Sequence, residues 1–210
     1  YQEGLSFILN QKEVVQYKQN LVDNYVLLQK YIQNPFLINK KKFDFRMFPM
    51  MVNIKPLIVI YRKGYVRLSL IDFDLQNEDI SVHLTNLHAQ KQNPNYQQLK
   101  DSVHLLLEDF EEFYLKENTK EKLNDVYNQI KAISSFSIQA IFQEKYNLYN
   151  QFHMFGADFM IDQNSNVSLI EMNSNPYLLN STDVHIKVVP DIIQSFLDIS
   201  TEIFKQNELQ

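Results

Sequence analysis

The spacing of apolar residues along the chain predicts a mixture of strands and helices. Leu5 to Leu9 is an apolar run of strand length. Gln11 to Asp23 places Val14, Val15 and Leu21 on one helical face, and Tyr25 to Ile32 reads as a buried strand broken at Asn34-Pro35. Phe43 to Val52 predicts a long strand in which Pro49, having no N–H, marks a bulge or a sheet edge. Leu57 to Tyr61 and Tyr65 to Leu70 predict a hairpin turning at Arg62-Lys63-Gly64. Residues 71–103 are mixed and loop-rich. Leu105 to Leu115 and Glu121 to Tyr146 carry helical periodicity, and Val184 to Lys205 predicts a final amphipathic helix interrupted near Pro190. There is no internal repeat and no linker-like stretch, so the pattern predicts a single α+β domain or the larger part of one.

Residues 152–176 carry the densest chemistry. They predict two strands, the first alternating around Phe152, Met154 and Phe159, the second running Val167 to Asn173, with Gln163, Asn164, Ser165 and Asn166 as the turn. Asp158 is flanked by Phe159 and Met160. Glu171 and Asn173 stand two apart after Leu169-Ile170, so both point to one face of their strand. Two carboxylates and an amide oxygen on neighbouring strands are hard ligands of the kind Mg²⁺ takes when phosphates fill its other positions. The same spacing also suits a hairpin with solvated polar residues on its open face.

Composition narrows the classes. The chain has 210 residues, 45% of them hydrophobic, enough for one substantial core. It has no Cys, which excludes a disulfide scaffold, a Cys-ligated zinc site and a thiol nucleophile, and suits a reducing compartment. No apolar run reaches the ~18 residues that span a bilayer, so no membrane role is expected. Three Gly is far below the usual ~7%, which leaves no room for a glycine-rich phosphate loop within this stretch. The opening Tyr-Gln-Glu-Gly has neither an initiator Met nor a signal-peptide pattern, and a part of a longer chain is expected.

Charge changes the picture locally. Residues 40–67 hold eight basic residues, Lys40, Lys41, Lys42, Arg46, Lys55, Arg62, Lys63 and Arg67, against the single acid Asp44, in a chain of net charge −5. A cationic strip on an acidic protein points to a specific anionic ligand rather than to nucleic acid, which calls for a broader basic surface. Solvation alone explains Lys40 and Lys41. It explains Arg46 and Arg67 poorly, because each lies inside an apolar strand pattern.

Six segments in order resemble the motif series of the tubulin tyrosine ligase-like family of ATP-grasp carboxylate–amine ligases. They are Gln29-Lys30-Tyr31-Ile32, Lys42-Phe43-Asp44-Phe45-Arg46, Gly64-Tyr65-Val66-Arg67, His83-Leu84-Thr85-Asn86, Gly156-Ala157-Asp158 and Glu171-Met172-Asn173. The resemblance implies an ATP-grasp-like α+β fold, an antiparallel sheet flanked by helices, that is incomplete at its N-terminus. The family's glycine-rich loop and ATP-binding lysines would precede Tyr1. It implies ATP and Mg²⁺ as cofactors, with tubulin or microtubules and a free amino acid as partners, in the cytoplasm at the cytoskeleton or cilium.

The resemblance also assigns roles. Gln29 to Ile32 would hold adenine through backbone groups, with Leu28 and Ile170 as apolar faces. Lys42 and Arg46 would meet phosphates or the acceptor carboxylate, Asp44 would orient one of them, and Arg67 would steady an acyl phosphate. His83, Leu84, Thr85 and Asn86 would form a loop at the nucleotide and substrate end. Asp158, Glu171 and Asn173 would hold Mg²⁺. Gly64 to Leu70, His83 to Asn86 with Gln90-Lys91, Glu171 to Pro176 and Val188-Val189-Pro190 are most similar to the polyglycylase branch. The chain departs from the family at Ser168, where Trp is usual, and it lacks a long basic microtubule-binding extension. Three functions follow: a ligase adding glycine to glutamate side chains of tubulin tails, a ligase adding glutamate or tyrosine, and an inactive member serving as a microtubule or ciliary structural module.

Overall fold

A computed structural model describes residues 29–142 and 151–208. The chain divides into two compact units, residues 1–32 and 33–210. The predicted elements at Leu5–Leu9 and Gln11–Asp23 lie outside the described residues, as does the end of the helix expected to reach Tyr146. In the first unit, Gln29 to Ile32 are described and have no regular secondary structure, so the strand expected there does not extend over them.

The second unit is an α+β arrangement built on a six-stranded antiparallel sheet. Its strands are β1 (Lys41–Ile54), β2 (Leu57–Asp72), β3 (His104–Leu106), β4 (His153–Met154), β5 (Gly156–Ile161) and β6 (Val167–Asn173), in the order β3-β2-β1-β5-β6, with β4 pairing beside β5 on β1. Three helices follow the same chain order: α1 (Leu107–Tyr114), α2 (Lys120–Ile141) and α3 (Asp183–Glu208). The 71–103 region forms three single-turn helices and a 3₁₀ turn, in keeping with its mixed pattern.

Residues of β1 alternate between two environments. Phe43, Phe45 and Met47 face α1 and α2, where they join Val66, Leu68, Phe110, Tyr114, Val126, Ile130 and Phe159 in the main core. Edge-on contacts between Phe43 and Phe45 (5.3 Å between centroids) and between Phe45 and Phe110 (4.8 Å) give this core a defined aromatic packing. The opposite face of β1 changes character midway. Lys42, Asp44 and Arg46 occupy one half, and Phe48, Met50 and Val52 continue it as an apolar surface covered by Val188, Ile192, Phe196 and Ile199 of α3.

Pro49 lies in the central strand, where its missing donor does no harm. Its carbonyl accepts from Phe155 N–H at 3.0 Å, on the side where pairing passes from β4 to β5 and is already interrupted. In a strand the N–H and C=O of a residue point the same way, so the lost N–H falls in that gap.

Two expectations are corrected. The hairpin turning at Arg62-Lys63-Gly64 is instead a single long strand, β2, and the chain reverses at Lys55-Pro56. Gly64 looked like turn chemistry, but its reason is close approach. The register passes from Arg46↔Tyr65 to Phe48↔Arg62, which inserts an extra residue into β2. A Cβ placed on Gly64 would lie 1.9 Å from the Arg46 carbonyl oxygen. The final helix is also continuous through Pro190, which is exposed on α3, so its ring meets solvent rather than the sheet. A smaller difference is that β3 precedes α1, so the helix expected from Leu105 begins at Leu107.

Gly64→Ala is expected to lower unfolding free energy by about 2–3 kcal/mol, because β1 must move away at Arg46 to admit the methyl group. Denaturant unfolding measures it. An unchanged midpoint would mean that the bulge relaxes freely.

Candidate functional site

The polar half of the β1 face carries a ladder of buried charges across three adjacent strands. Asp44 stands opposite Arg67 of β2, and Arg46 opposite Asp158 of β5. Arg67 donates from Nε to Asp44 Oδ1 at 2.6 Å and from Nη2 to Asp44 Oδ2 at 2.7 Å. The same Nη2 reaches Asp158 Oδ2 at 2.7 Å. Arg46 donates to Asp158 from Nε at 2.5 Å and from Nη2 at 3.0 Å. All four side chains are buried. Although burial works against ionisation, the Arg67 and Arg46 charges hold the Asp158 carboxyl below the usual carboxylate range.

Lys42 continues the row. Burial lowers its ammonium to about 8, and Asp44 opposes that shift. Lys40 is exposed, and Lys41 donates to the Leu70 carbonyl. The cationic strip therefore divides into a buried part on one face and an outer part.

The 83–86 loop is brought to the ladder by a clamp. Gln90 is buried, accepts from Leu70 N–H at 2.7 Å and donates to the carbonyls of Ser81, at 2.8 Å, and of Leu84. Held in this way, Thr85 donates from its hydroxyl to Asp44 Oδ2. Asn86 caps the following turn, accepting from Ala89 N–H at 2.9 Å. His83 is buried with Nε2 beside the Asn77 carbonyl at 2.5 Å, and Leu84 is half-buried. Of the four, Thr85 is the one seen to bond to the ladder through its side chain.

Glu171 lies opposite Asp158 across the β5–β6 pair, and Asn173 opposite Gly156. Glu171 is exposed and accepts from the Asn173 amide at 2.8 Å. Asp158 differs from both, since both its oxygens meet guanidinium groups. Among the described residues no group of three or more His, Cys, Asp or Glu side chains forms a metal cage. The oxygen donors of the expected set that stand outside the ladder are the exposed Glu171 carboxylate and the Asn173 amide oxygen, both of a kind that Mg²⁺ accepts. Ile170 is exposed beside them, at a register shift in β6. Gly156 is tight as well: a Cβ there would lie 2.8 Å from Pro176 Cβ and 3.4 Å from Arg46 Nη1.

A group that the sequence did not signal adjoins Arg67. His104 of β3, Tyr65 of β2 and His185 in the first turn of α3 pack ring against ring, with His185 4.6 Å from both His104 and Tyr65. His104 had no motif around it and His185 looked like one more helix residue. The available signal was the number of His residues falling inside apolar patterns.

The Tubulin-tyrosine ligase family profile matches residues 4–209. The chain belongs to that family. It is 33% identical over 183 residues to "Protein polyglycylase TTLL10" of Rattus norvegicus, covering 84% of this chain and 27% of that protein. To "Inactive polyglycylase TTLL10" of Homo sapiens it is 30% identical, covering 86% of this chain and 28% of the relative. To "Probable tubulin polyglutamylase TTLL9" of Mus musculus it is 29% identical, covering 85% and 39%. The chain therefore spans well under half the length of these relatives.

Family membership and burial give one test of the ladder itself. Asp158→Ala is expected to cost about 3–5 kcal/mol in unfolding free energy, because two buried guanidinium groups lose their shared partner. A loss below about 1 kcal/mol by chemical denaturation would show that the arginines find water instead.

Proposed function

We propose that the chain is the central and C-terminal part of an ATP-grasp ligase that joins a free amino acid to glutamate side chains of tubulin tails, with glycine as the amino acid. The buried Asp44–Arg67–Asp158–Arg46 ladder ending beside the exposed Glu171 and the half-buried Asn173 carries this reading. It holds two guanidinium groups in fixed positions next to oxygen donors, and phosphoryl transfer to a carboxylate calls for such positioned donors.

Bound ATP would supply its γ-phosphoryl group to the side-chain carboxylate, with ADP leaving and Mg²⁺ offsetting charge, so that an amine could displace phosphate from the activated carboxyl. This chain's residues bind and orient. Glu171 and Asn173 would hold the metal, with Asp158 fixing the arginines beside them. Lys42 would meet phosphate. Arg46 spends two bonds and Arg67 three in the ladder, and a guanidinium has donors beyond these, so each keeps N–H groups for an incoming anion. Asp44 would orient Arg67, and Thr85 would orient Asp44. We carry Gln29, Lys30, Tyr31, Ile32, His83, Leu84, Asn86 and Ile170 into this reading as nucleotide-side residues on the family resemblance. Glycine rests on the polyglycylase relatives and on the tight space at Gly156, where an added Cβ would meet Pro176 and Arg46.

The relatives' names favour two other readings. A glutamate-adding ligase is supported by the polyglutamylase relative, and an inactive module by the human relative described as inactive. Among the described residues no helix is long and apolar enough to cross a membrane, and action at the cytoskeleton or cilium belongs to this proposal.

The deciding experiment incubates the full-length protein with ATP, Mg²⁺, tubulin and labelled glycine, glutamate or tyrosine. Glycine incorporation is expected, with loss by at least about a hundredfold in Glu171→Gln and a fall in turnover larger than the change in ATP affinity in Arg67→Ala. Glutamate alone would select the second reading, and no incorporation by folded protein the third.

Lys42 gives a pH test. Its ammonium in the folded protein deprotonates near pH 8, below the ordinary lysine value, so its charge is present below about pH 8 and lost above it. ATP affinity is expected to weaken as pH rises through that range, and Lys42→Arg should flatten the decline. An identical decline in the variant would remove Lys42 from phosphate binding.

A further inference from the structure

His104 and His185 are 5% and 2% exposed, and they belong to different elements. His104 lies on the edge strand β3, paired opposite Arg67, while His185 lies in the first turn of α3. Their rings meet edge to face at 4.6 Å. Tyr65 packs against both, at 5.7 Å from His104 and 4.6 Å from His185, and Tyr177 lies 6.2 Å from His185. One nitrogen of His185, Nδ1, meets the Ser181 hydroxyl at 2.8 Å. The other, Nε2, and Nδ1 of His104 are buried without a hydrogen-bond partner. Neither atom is open to a ligand, so the pair is not a binding site in this state. It is a joint between the sheet and the start of the last helix.

We propose that the His104–His185 contact is an acid-sensitive latch that closes the N-terminal turn of α3 over the arginine ladder. The latch holds only while both rings are neutral. Among the described residues, the charged side chains that act on the rings from the sheet side are guanidinium groups, Arg67 on His104 and both Arg46 and Arg67 on His185, and Asp44 and Asp158 engage these guanidinium groups in turn. The remaining titratable neighbours are the phenols of Tyr65 and Tyr177, and Asp183 in the same helical turn is exposed. The helix N-terminus adds its own partial positive charge beside His185. Burial first, then His185 and Arg67, pushes His104 down to about 3, against a backbone hydrogen bond at Lys100 that favours the protonated ring. Burial first, then Arg46 and Arg67, pushes His185 down to about 4.

The sign of the pH effect follows from these directions. An imidazole that is neutral when closed and ordinary when exposed gains a proton on opening. The closed state is therefore at full stability above about pH 6.5 and loses it progressively as pH falls toward the closed-state values. Each histidine shifts the opening equilibrium by up to about tenfold per pH unit in that window, and the pair by up to about a hundredfold. Opening releases the turn that follows the Ser174–Thr182 loop, and with it Pro176 beside Gly156 and Arg46. That control of ligation rests on the proposed ligase activity, whereas the opening itself does not.

The test is hydrogen exchange in the full-length protein at the amides of residues 186–190 other than Pro190, corrected for intrinsic rates, between about pH 7 and pH 5. Protection in the wild type is expected to fall about tenfold or more per pH unit. In His185→Phe the slope should be reduced, and in the His104→Phe/His185→Phe double variant it should be abolished. Phe keeps an aromatic ring in the joint and removes the proton. NMR titration of the wild-type imidazoles covers the case of a double variant that does not fold, with both rings expected to stay neutral in the closed state to below pH 5. Flat protection in the wild type, an unchanged slope in His185→Phe, or rings titrating near 6.5 with α3 still protected would each overturn the latch. Acid-linked opening in a protein that ligates nothing at neutral pH would support the latch and sink the ligase reading.

Discussion

Burying two guanidinium groups and two carboxylates together costs several kcal/mol per ion unless every charge finds a partner in good geometry. Asp44, Arg67, Asp158 and Arg46 meet that condition across β2, β1 and β5, and much of the second unit can be traced to it. Arg67 must stand opposite Asp44 and Arg46 opposite Asp158, so the registers of two strand pairs are fixed at once. The extra residue in β2 at Lys63-Gly64 lets the strand pass from this register to that of the apolar half. Gly64 is required there because the Arg46 carbonyl leaves no space for a side chain.

The ladder also decides what the face can do. Two acids balance two bases, and Lys42 adds a cation at one end while Glu171 adds an anion at the other. A face of this kind holds its positive groups in place before any anion arrives, so binding does not have to order them. The partial neutrality of Lys42 near pH 8 is the same burial seen from another side: a lysine so placed keeps its charge more easily once a phosphate replaces the water it lost.

Much of this was legible in the residues. The apolar run from Phe43 to Val52 predicts most of β1, the resemblance adds Lys42, Asp44 and Arg46 as its functional residues, and the polar turn at 163–166 predicts the β5–β6 hairpin. Gly64 was misread because a glycine after Arg-Lys looks the same whether it turns the chain or lets two backbones touch. Pro190 was misread because a proline weakens a helix by removing one i→i−4 hydrogen bond and crowding the i−4 carbonyl, which need not end it, and here the helix runs on with Pro190 on its exposed side. Asp158 was readable as a carboxylate on the right strand. Its saturation by two guanidinium groups depends on the strand order β2-β1-β5, which periodicity does not contain. His104 and His185 lie 81 positions apart in sequence and meet only because α3 crosses back over β3.

One strand face thus serves two purposes, and the division runs through Phe48. On one side of it the even-numbered positions of β1 carry charge, and on the other they carry apolar side chains that hold α3. Tyr65 stands at the boundary. Its ring packs with Phe48 in the α3 core and with His104 and His185 at the joint, while its backbone pairs with Arg46. A shift of α3 therefore cannot leave the arginines untouched, because the residue that seats the helix is also the cross-strand neighbour of one of them. The apolar core and the charged ladder share this one residue through strand geometry rather than through a chain of surface contacts, and in the proposed latch Tyr65 is where a change at the helix start would be felt by the ladder.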